Sequence, residues 1–286
     1  MCPRMYMKGS RGFMSMSIFK KVIDEISIHK NITLVPFFRG EPLLHPDFTE
    51  MMTYSKINRI SPIQLTTNAT MLTEDIARTL IDIELDFISF SVDSVDNDMY
   101  NKIRKGSDLQ EVIKNIEMFC DLKKKRCRSK PEIQVSVVKT ENTVDRLDDF
   151  ITFWQERVDR VRVYEEHSKD GIYGSLSEDR NFNNTLKRQP CLKPFNDFVI
   201  YWDGSVALCN HDWDRIDTIG NVNHDTIEDI WNNKMYRTIR KAHIHDHNLL
   251  EELCRKCDHW KTYYMEQQQI GELHVVKTSA ASTIIK

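Results

Sequence analysis

The sequence predicts an α/β protein in which a parallel sheet of βα units is followed by a small hairpin-bearing region. Three observations carry this prediction. Short apolar runs alternate with amphipathic helical stretches between residues 13 and 165. The stretches linking the runs are long enough to hold a helix, as the crossover between parallel strands requires. Past residue 185 the alternation stops, and "NDFVIYWDGSVALC" reads as two β runs joined at Asp203-Gly204, a strong hairpin signal.

In chain order, Phe13–His29 places apolar residues at three-and-four spacing and predicts a helix. Ile32–Phe38 ("ITLVPFF") is a short apolar strand, Phe48–Lys56 a helix, and Ile63–Thr67 ("IQLTT") a strand. Thr73–Ile83 is a helix with Thr73 as N-cap, and Asp86–Val92 ("DFISFSV") is a strand. Leu109–Lys124 is helical, Glu132–Val138 ("EIQVSVV") a strand, Val144–Arg157 a helix, and Arg160–Tyr164 ("RVRVY") a strand. The first helix has no strand before it, as if a βα unit were cut in the middle. Thr226–Ala242 is helical, "CRKC" follows, and the residues from Tyr264 show no clear period, which predicts a tail or an appended helix.

With 286 residues there is room for one large domain, or one large and one small. Lys and Arg number 40 against 43 Asp and Glu, a balance that gives nucleic acid no footprint. The basic run Lys123–Cys127 closes a helix, where cations suit the dipole. No apolar run approaches 18 residues, and the opening 20 lack the apolar core of a signal peptide. A cytoplasmic protein with no membrane partner is expected. Seven cysteines, an odd number in a reducing compartment, suit metal or cluster ligation better than disulfides.

In parallel βα architectures the chemistry gathers at the carboxyl ends of the strands, where loops converge on one face. Past the strand ends lie "RGEP" (Arg39–Pro42), "TNA" (Thr67–Ala69), "SVDS" (Ser91–Ser94), "KTEN" (Lys139–Asn142) and "EEH" (Glu165–His167), nearly all small or polar. "RGEP" is the most informative. Gly40 lets backbone approach a ligand, Pro42 stiffens the exit, and Glu41 offers a carboxylate to a cation such as the amino group of a small molecule.

Cys254-x-x-Cys257 is a chelating pair. Cys209 stands five residues past Gly204, and Cys191 thirteen residues ahead of it. Four thiolates converging from a hairpin and a knuckle can bind a tetrahedral zinc ion or a 4Fe–4S cluster, and composition does not separate the two. Cys120 and Cys127 read as one buried and one surface thiol.

The order "MCPR", "FFRGEPLLHPDF", "LTTNATML", "FISFSVDS" with "YNKIRKG", and "CLKPFNDFVIYWDGSVALCNHDW…IGNV…IEDIWN…CRKC" resembles the radical S-adenosylmethionine superfamily. Its C-terminal part resembles the SPASM/twitch subgroup with its auxiliary cluster, and the resemblance covers roughly residues 1–260. It implies a partial (β/α)6 TIM-like barrel with its first strand missing over residues 1–185. A hairpin-plus-helix domain with one auxiliary 4Fe–4S cluster then spans 186–263, and a tail spans 264–286. In this family three cysteines spaced C-x-x-x-C-x-x-C hold the radical-generating cluster. Cys2-Pro3 matches the last of the three, so Met1 corresponds to an internal residue of a longer reading frame. One thiolate cannot hold a cubane, and the chain as printed is expected to lack that cluster.

Carried over by position, Gly40, Glu41 and Pro42 resemble the segment that binds the methionyl amino group, with Arg39 where the family usually has a second glycine. Ser91 and Arg104 resemble contacts to the methionyl carboxylate, and Asn68 and Asp93 lie near the ribose. Cys191, Cys209, Cys254 and Cys257 match the single auxiliary cluster of twitch proteins. The resemblance implies reductive cleavage of S-adenosylmethionine to methionine and a 5′-deoxyadenosyl radical that removes a substrate hydrogen. It also implies a flavodoxin- or ferredoxin-type electron donor, and an auxiliary cluster that accepts an electron from the substrate radical. The substrate is a sugar or cyclitol alcohol that becomes oxidised, or a peptide. Glu165, Glu166, His167 and Asp212 are candidate bases, each also explicable as a loop or hairpin polar residue. The rival reading is a non-catalytic metal-binding protein that uses only the four-cysteine site, filled by zinc or a cluster.

Overall fold

The computed structural model describes residues 10–166, 188–212, 218–250, 254–255, 257 and 259–260, together with the backbone of 265–270, 273–278 and 281–285. The chain divides into two compact units, one holding residues 26–165 and the C-terminal strands, the other holding residues up to 25 and those from 166 to 265.

The larger unit is a parallel sheet clad in helices. Strands β1 (Gln64–Thr67), β2 (Phe87–Ser91), β3 (Glu132–Lys139) and β4 (Arg160–Glu165) pair side by side, all parallel. Their apolar residues form the buried centre, including Leu65, Ile88, Phe90, Val135 and Val161. Crossovers are made by α3 (Glu74–Asp82), α5 (Leu109–Lys125) and α6 (Leu147–Gln155), after α2 (Phe48–Ile57). Their stripes of Leu80, Ile81, Val112, Ile116, Phe119, Phe150 and Trp154 are all buried. Phe119 meets Phe90 of the sheet edge to face, with ring centroids 5.7 Å apart. Side chains start two of these helices: Thr73, as the sequence predicts, accepts from the Ile76 N–H at 3.3 Å, and Asp108, which the sequence reading does not name, accepts from the Glu111 N–H at 3.0 Å.

In the larger unit three elements differ from the sequence reading. The expected strand Ile32–Phe38 is reduced to one parallel bridge, Leu34 to Ile63. Pro36 has no N–H to donate, and the Phe37 N–H turns back onto the Val35 carbonyl at 2.9 Å, so the ladder cannot continue. A short helix α4 (Asn97–Ile103), capped by Asp96, precedes α5 and was not foreseen. The C-terminal residues, read as a tail or appended helix, instead form β8 (Met265–Ile270), β9 (Leu273–Thr278) and β10 (Ala281–Ile285). Strand β10 pairs antiparallel with β4 from Ala281–Tyr164 to Ile285–Arg160, extending the sheet in the order β1-β2-β3-β4-β10-β9-β8. An exposed strand edge is a ready template for such addition.

The smaller unit is built on α1 (Met16–Ser27), a three-stranded antiparallel sheet of β5 (Val199–Ile200), β6 (Ser205–Ala207) and β7 (Thr218–Asn221), and helices α7 (Lys193–Asn196), α8 (Ile227–Trp231) and α9 (Lys234–His245). Val22, Val206, Leu208, Ile219, Val222, Ile230, Tyr236 and Ile239 make its core. Helix α1 is stitched on by polar contacts as well: Glu25 Oε2 accepts from the Ile227 N–H at 2.7 Å, at the start of α8. The Asp203-Gly204 turn forms as expected, with Gly204 at φ +83°. The single helix expected over Thr226–Ala242 is two. Asn233 interrupts it, accepting from the Tyr236 N–H at 2.9 Å as N-cap of α9 and donating to the Ile219 carbonyl at 2.9 Å.

Candidate functional site

At the carboxyl edge of the parallel strands, Glu41 is the organising carboxylate. It follows Gly40 and caps the 3-10 turn Pro42–Leu44, accepting from the Leu43 N–H at 3.1 Å. Thr67, the last residue of β1, donates its hydroxyl to Glu41 Oε1 at 2.6 Å, and the Asn68 N–H donates to Oε2 at 2.9 Å. A carboxylate offers about four acceptor sites. Three are filled by these donors, and Oε2 retains capacity for one more.

A Cβ built on Gly40 would meet nothing within 4 Å, so its backbone borders open space. Arg39, which stands where the resemblance leads one to expect glycine, takes φ +58°, the left-handed region that glycine enters most readily. Its guanidinium lies 4.4 Å above the Phe38 ring. Asn68 holds its own loop, with Oδ1 accepting from the Thr70 N–H at 3.0 Å and the Thr70 hydroxyl at 2.7 Å.

Ser91 closes β2 half-buried, in register with Ser136 of β3. Two residues on, Asp93 is buried at φ +69°. Asp93 and Arg104, foreseen as separate ligand contacts, form one ion pair: Arg104 Nε donates to Asp93 Oδ2 at 2.8 Å and its terminal nitrogen to the same oxygen. The other oxygen, Oδ1, accepts from the Val138 N–H at 2.9 Å. Both Asp93 oxygens are thus engaged by the protein. Its evident work is to hold Arg104, whose side chain keeps a quarter of its surface exposed.

In the smaller unit Cys191, Cys209, Cys254 and Cys257 line one cavity with Arg188, Lys193, His211, His243, His259 and Trp260. Two short local loops repeat there. The His211 N–H donates to Cys209 Sγ at 3.3 Å, and the His259 N–H to Cys257 Sγ at 3.4 Å. The two imidazoles lie 4.0 Å apart. Arg188 clamps the knuckle, donating to the carbonyls of Cys254 at 2.6 Å and of Arg255 and Cys257 at 3.3 Å. His243 of α9 is fully buried, and its Nδ1 accepts from the Cys191 N–H at 3.4 Å.

Burial pushes the Cys209 thiol up to about 11, and pushes Cys254 higher still, where the other three sulfurs add to the effect. Mutual repulsion among four sulfurs is what a metal centre relieves, since metal ligands must be deprotonated. Burial, with Arg188 and His247 adding repulsion, holds the His243 imidazole down at about 4. Among the described residues no three His, Cys, Asp or Glu side chains are grouped to hold a single ion, but four thiols lining one cavity, N–H donors aimed at two of them, and the cationic Arg188 and Lys193 suit a larger anionic thiolate-bound cluster.

Of the remaining sequence candidates, Cys2 and His167 lie outside the described residues, as does the side chain of Glu165. Glu166 is half-buried just past β4. Asp212 is fully buried with its main chain in use: its N–H donates to the Cys209 carbonyl at 3.2 Å, and its carbonyl accepts from the Tyr201 hydroxyl at 2.8 Å. Thr67, Arg188, His243 and the pair His211 and His259 were not singled out from the sequence. The repeated Cys-x-His of "CNH" and "CDH" is a signal that could have found the last two. Cys120 is buried and Cys127 exposed, as expected.

Comparison with known proteins agrees with this layout. Residues 1–151 match the radical SAM superfamily, and residues 191–258 match an iron-sulfur cluster-binding domain. GTP 3′,8-cyclase of Clostridium botulinum (strain Hall) is 32% identical over 146 residues, 51% of this chain and 44% of that protein. The chain thus spans less than half the length of that relative. The tungsten-containing aldehyde ferredoxin oxidoreductase cofactor-modifying protein of Pyrococcus furiosus is 25% identical over 306 residues, covering 92% of this chain and 85% of that protein. Among solved structures, BtrN in complex with AdoMet and 2-DOIA superposes with a TM-score of 0.57 at 20% identity, covering 90% of this chain and 85% of BtrN. The enzyme anSMEcpe with bound AdoMet gives 0.61 at 18% identity, with 88% and 80% covered. Streptococcus suis SuiB bound to its precursor peptide SuiA gives 0.61 at 13%, with 81% and 61% covered. These likenesses are of fold. Among the described residues no helix is long and apolar enough to cross a membrane.

Proposed function

This chain belongs to the radical SAM superfamily, and on that premise we propose that it serves an enzyme oxidising a secondary alcohol of a sugar or cyclitol. The observation that carries the reading is the single cavity lined by Cys191, Cys209, Cys254 and Cys257. Four protein thiols leave an auxiliary 4Fe–4S cluster no open iron for substrate, which favours electron transfer over substrate binding. When bound, S-adenosylmethionine and the two clusters supply a hydrogen-atom abstractor and a one-electron acceptor, which with release of the hydroxyl proton convert the alcohol carbon to a carbonyl.

The chain's own groups bind and orient. Glu41 Oε2, with its remaining acceptor site, takes the methionyl ammonium, while Thr67 and the backbone of Leu43 and Asn68 fix the carboxylate plane. Gly40 lets the main chain come close. Arg104, aimed by Asp93, presents its guanidinium to the methionyl carboxylate beside Ser91, and Asn68 faces the ribose. BtrN, whose structure holds AdoMet and 2-DOIA, supports a cyclitol-like substrate. SuiB, seen with its precursor peptide, supports peptide modification as the second reading. A flavodoxin- or ferredoxin-type donor supplies the reducing electron.

Residues 1–286 contain Cys2 but not the other two thiols of C-x-x-x-C-x-x-C, so a chain limited to them is expected to release no 5′-deoxyadenosine. A chain carrying C-x-x-x-C ending two residues before Met1 is expected to release it under strong reductant, and to yield a product two electrons more oxidised when given an aminocyclitol. No 5′-deoxyadenosine from the completed motif overturns the enzyme reading. Zinc without sulfide in the four-cysteine site overturns the cluster and leaves a metal-binding protein.

A further inference from the structure

We infer that His243 is a hydrogen-bond donor to the auxiliary cluster, its Nε2–H directed at a cluster sulfide or cysteinyl sulfur and setting the potential at which the cluster takes an electron. The inference rests on the four-cysteine ligand set proposed above and adds a residue to it.

His243 is fully buried on α9 and its ring lines the cavity shared by the four cysteines. Its Nδ1 accepts from the Cys191 main-chain N–H at 3.4 Å, which requires a lone pair on Nδ1 and so places the neutral ring's proton on Nε2. The Nε2 atom is buried and has no hydrogen-bond partner among the described residues. A buried donor left unsatisfied costs roughly 1–3 kcal/mol, and native proteins rarely keep one without a reason. The other polar contact near the ring, His247 Nε2 on the His243 carbonyl at 2.9 Å, uses the main chain and does nothing for the imidazole. What the protein omits, the cluster supplies: its sulfides and thiolates are acceptors carrying negative charge.

The rest of α9 suits this role. Asn233 starts the helix and is anchored to the Ile219 carbonyl of β7, while Arg240 donates to the Pro194 carbonyl at 2.8 Å and the Trp231 carbonyl at 2.7 Å. The helix is thereby fixed to the segment that bears Cys191. Hydrogen bonds to sulfur stabilise the more negative, reduced state of a cluster and raise its potential. An electron acceptor for a substrate radical benefits from that shift.

The test is an anaerobically reconstituted chain titrated reductively with EPR detection, after iron and sulfide have been counted. His243→Phe keeps a ring and removes the donor. It is expected to retain four irons and four sulfides while its potential falls by about 59 mV or more, a tenfold change in the oxidised-to-reduced ratio. His243→Gln, which keeps an N–H, is expected to fall in between. A second measurement needs no variant: the unmodified chain labelled with nitrogen-15 histidine and exchanged into deuterium oxide should show, by pulsed ENDOR, one exchangeable deuteron close to the reduced cluster and only weak nitrogen coupling. An unchanged potential in a fully loaded His243→Phe overturns the inference. So does the absence of the deuteron in the unmodified chain, or a strong nitrogen coupling that makes His243 an iron ligand. A chain that holds no iron and sulfide at all removes the ligand set, and the inference with it. Full loading with an unmoved potential removes the inference alone.

Discussion

The hydroxyl of Thr67 donates to Glu41 Oε1 across 2.6 Å, joining the end of β1 to a loop 26 residues earlier in the chain. This bond fixes the carboxylate that the proposed ligand site depends on. Thr67→Val preserves the shape and removes the donor. Hydrogen bonds to charged groups contribute roughly 1.5–3 kcal/mol, so urea unfolding should show a loss of about 2 kcal/mol. Thr67→Ser should stay close to the unsubstituted chain. Equal stability of Thr67→Val would show that the bond does not hold the loop.

Gly40 offers a cleaner separation of binding from folding. A Cβ there meets nothing within 4 Å and no left-handed backbone forbids a side chain, so Gly40→Val should leave stability within roughly 0.5 kcal/mol. The same branched side chain would fill the space that the main chain leaves for a ligand. S-adenosylmethionine affinity, measured by calorimetry, should fall about tenfold or more, at least 1.4 kcal/mol. Unaltered affinity removes Gly40 from the site.

Asp86 predicts a pH dependence. It accepts from Lys56 at 3.0 Å, the Ser61 hydroxyl at 3.2 Å, the Ile63 N–H at 2.8 Å and Lys130 at 2.5 Å. Burial opposes its charge, but Lys130, the Ile63 N–H and Lys56 win and hold it at about 2, below the ordinary 3.8. A carboxyl depressed by folding contributes stability above its unfolded value and loses it as pH falls from about 4 through 2. That contribution is of order 2 kcal/mol at neutral pH. Asp86→Asn should cost about that much at pH 7 and little at pH 2, read from denaturant midpoints. A cost independent of pH would show that the charge is immaterial.

Gly204 turns the hairpin that carries Cys209. Its φ of +83° disfavours any side chain, and a Cβ would stand 2.4 Å from Asn223 Nδ2, which already donates to the Asp203 carbonyl at 2.8 Å. Gly204→Ala should cost about 1–3 kcal/mol and lower the iron content per chain, because the hairpin aims Cys209, one of the four proposed ligands. Full loading at unchanged thermal midpoint would contradict this.

What could be read beforehand was whatever repeats locally. The strand runs over 87–91, 132–139 and 160–165 are legible because alternation and apolar content are properties of a few neighbouring residues. Thr73 announces its helix because a cap acts three residues away. The shared cavity of the four cysteines is legible because C-x-x-C and the Gly204 turn are short-range features. Failures came from one missing local donor in one case and from a distant partner in the other. Ile32–Phe38 looks like a strand by composition, yet Pro36 and the missing donor reduce it to a bridge at Leu34. The residues after Tyr264 carry no period of their own, and they become strands because β4 leaves an edge to pair with.

By itself, the sequence determined the run of strands and helices over residues 64–165 and the hairpin turned at Gly204, and it pointed to Gly40-Glu41-Pro42 and four cysteines as candidate sites, since spacing and periodicity are written along the chain. The tertiary structure alone decided that Asp93 spends its carboxylate on Arg104, that Thr67 secures Glu41, and that His243 stands behind Cys191 with one nitrogen unanswered among the described residues. Those partners are 11, 26 and 52 residues apart, and only folding brings a donor to an acceptor over such separations.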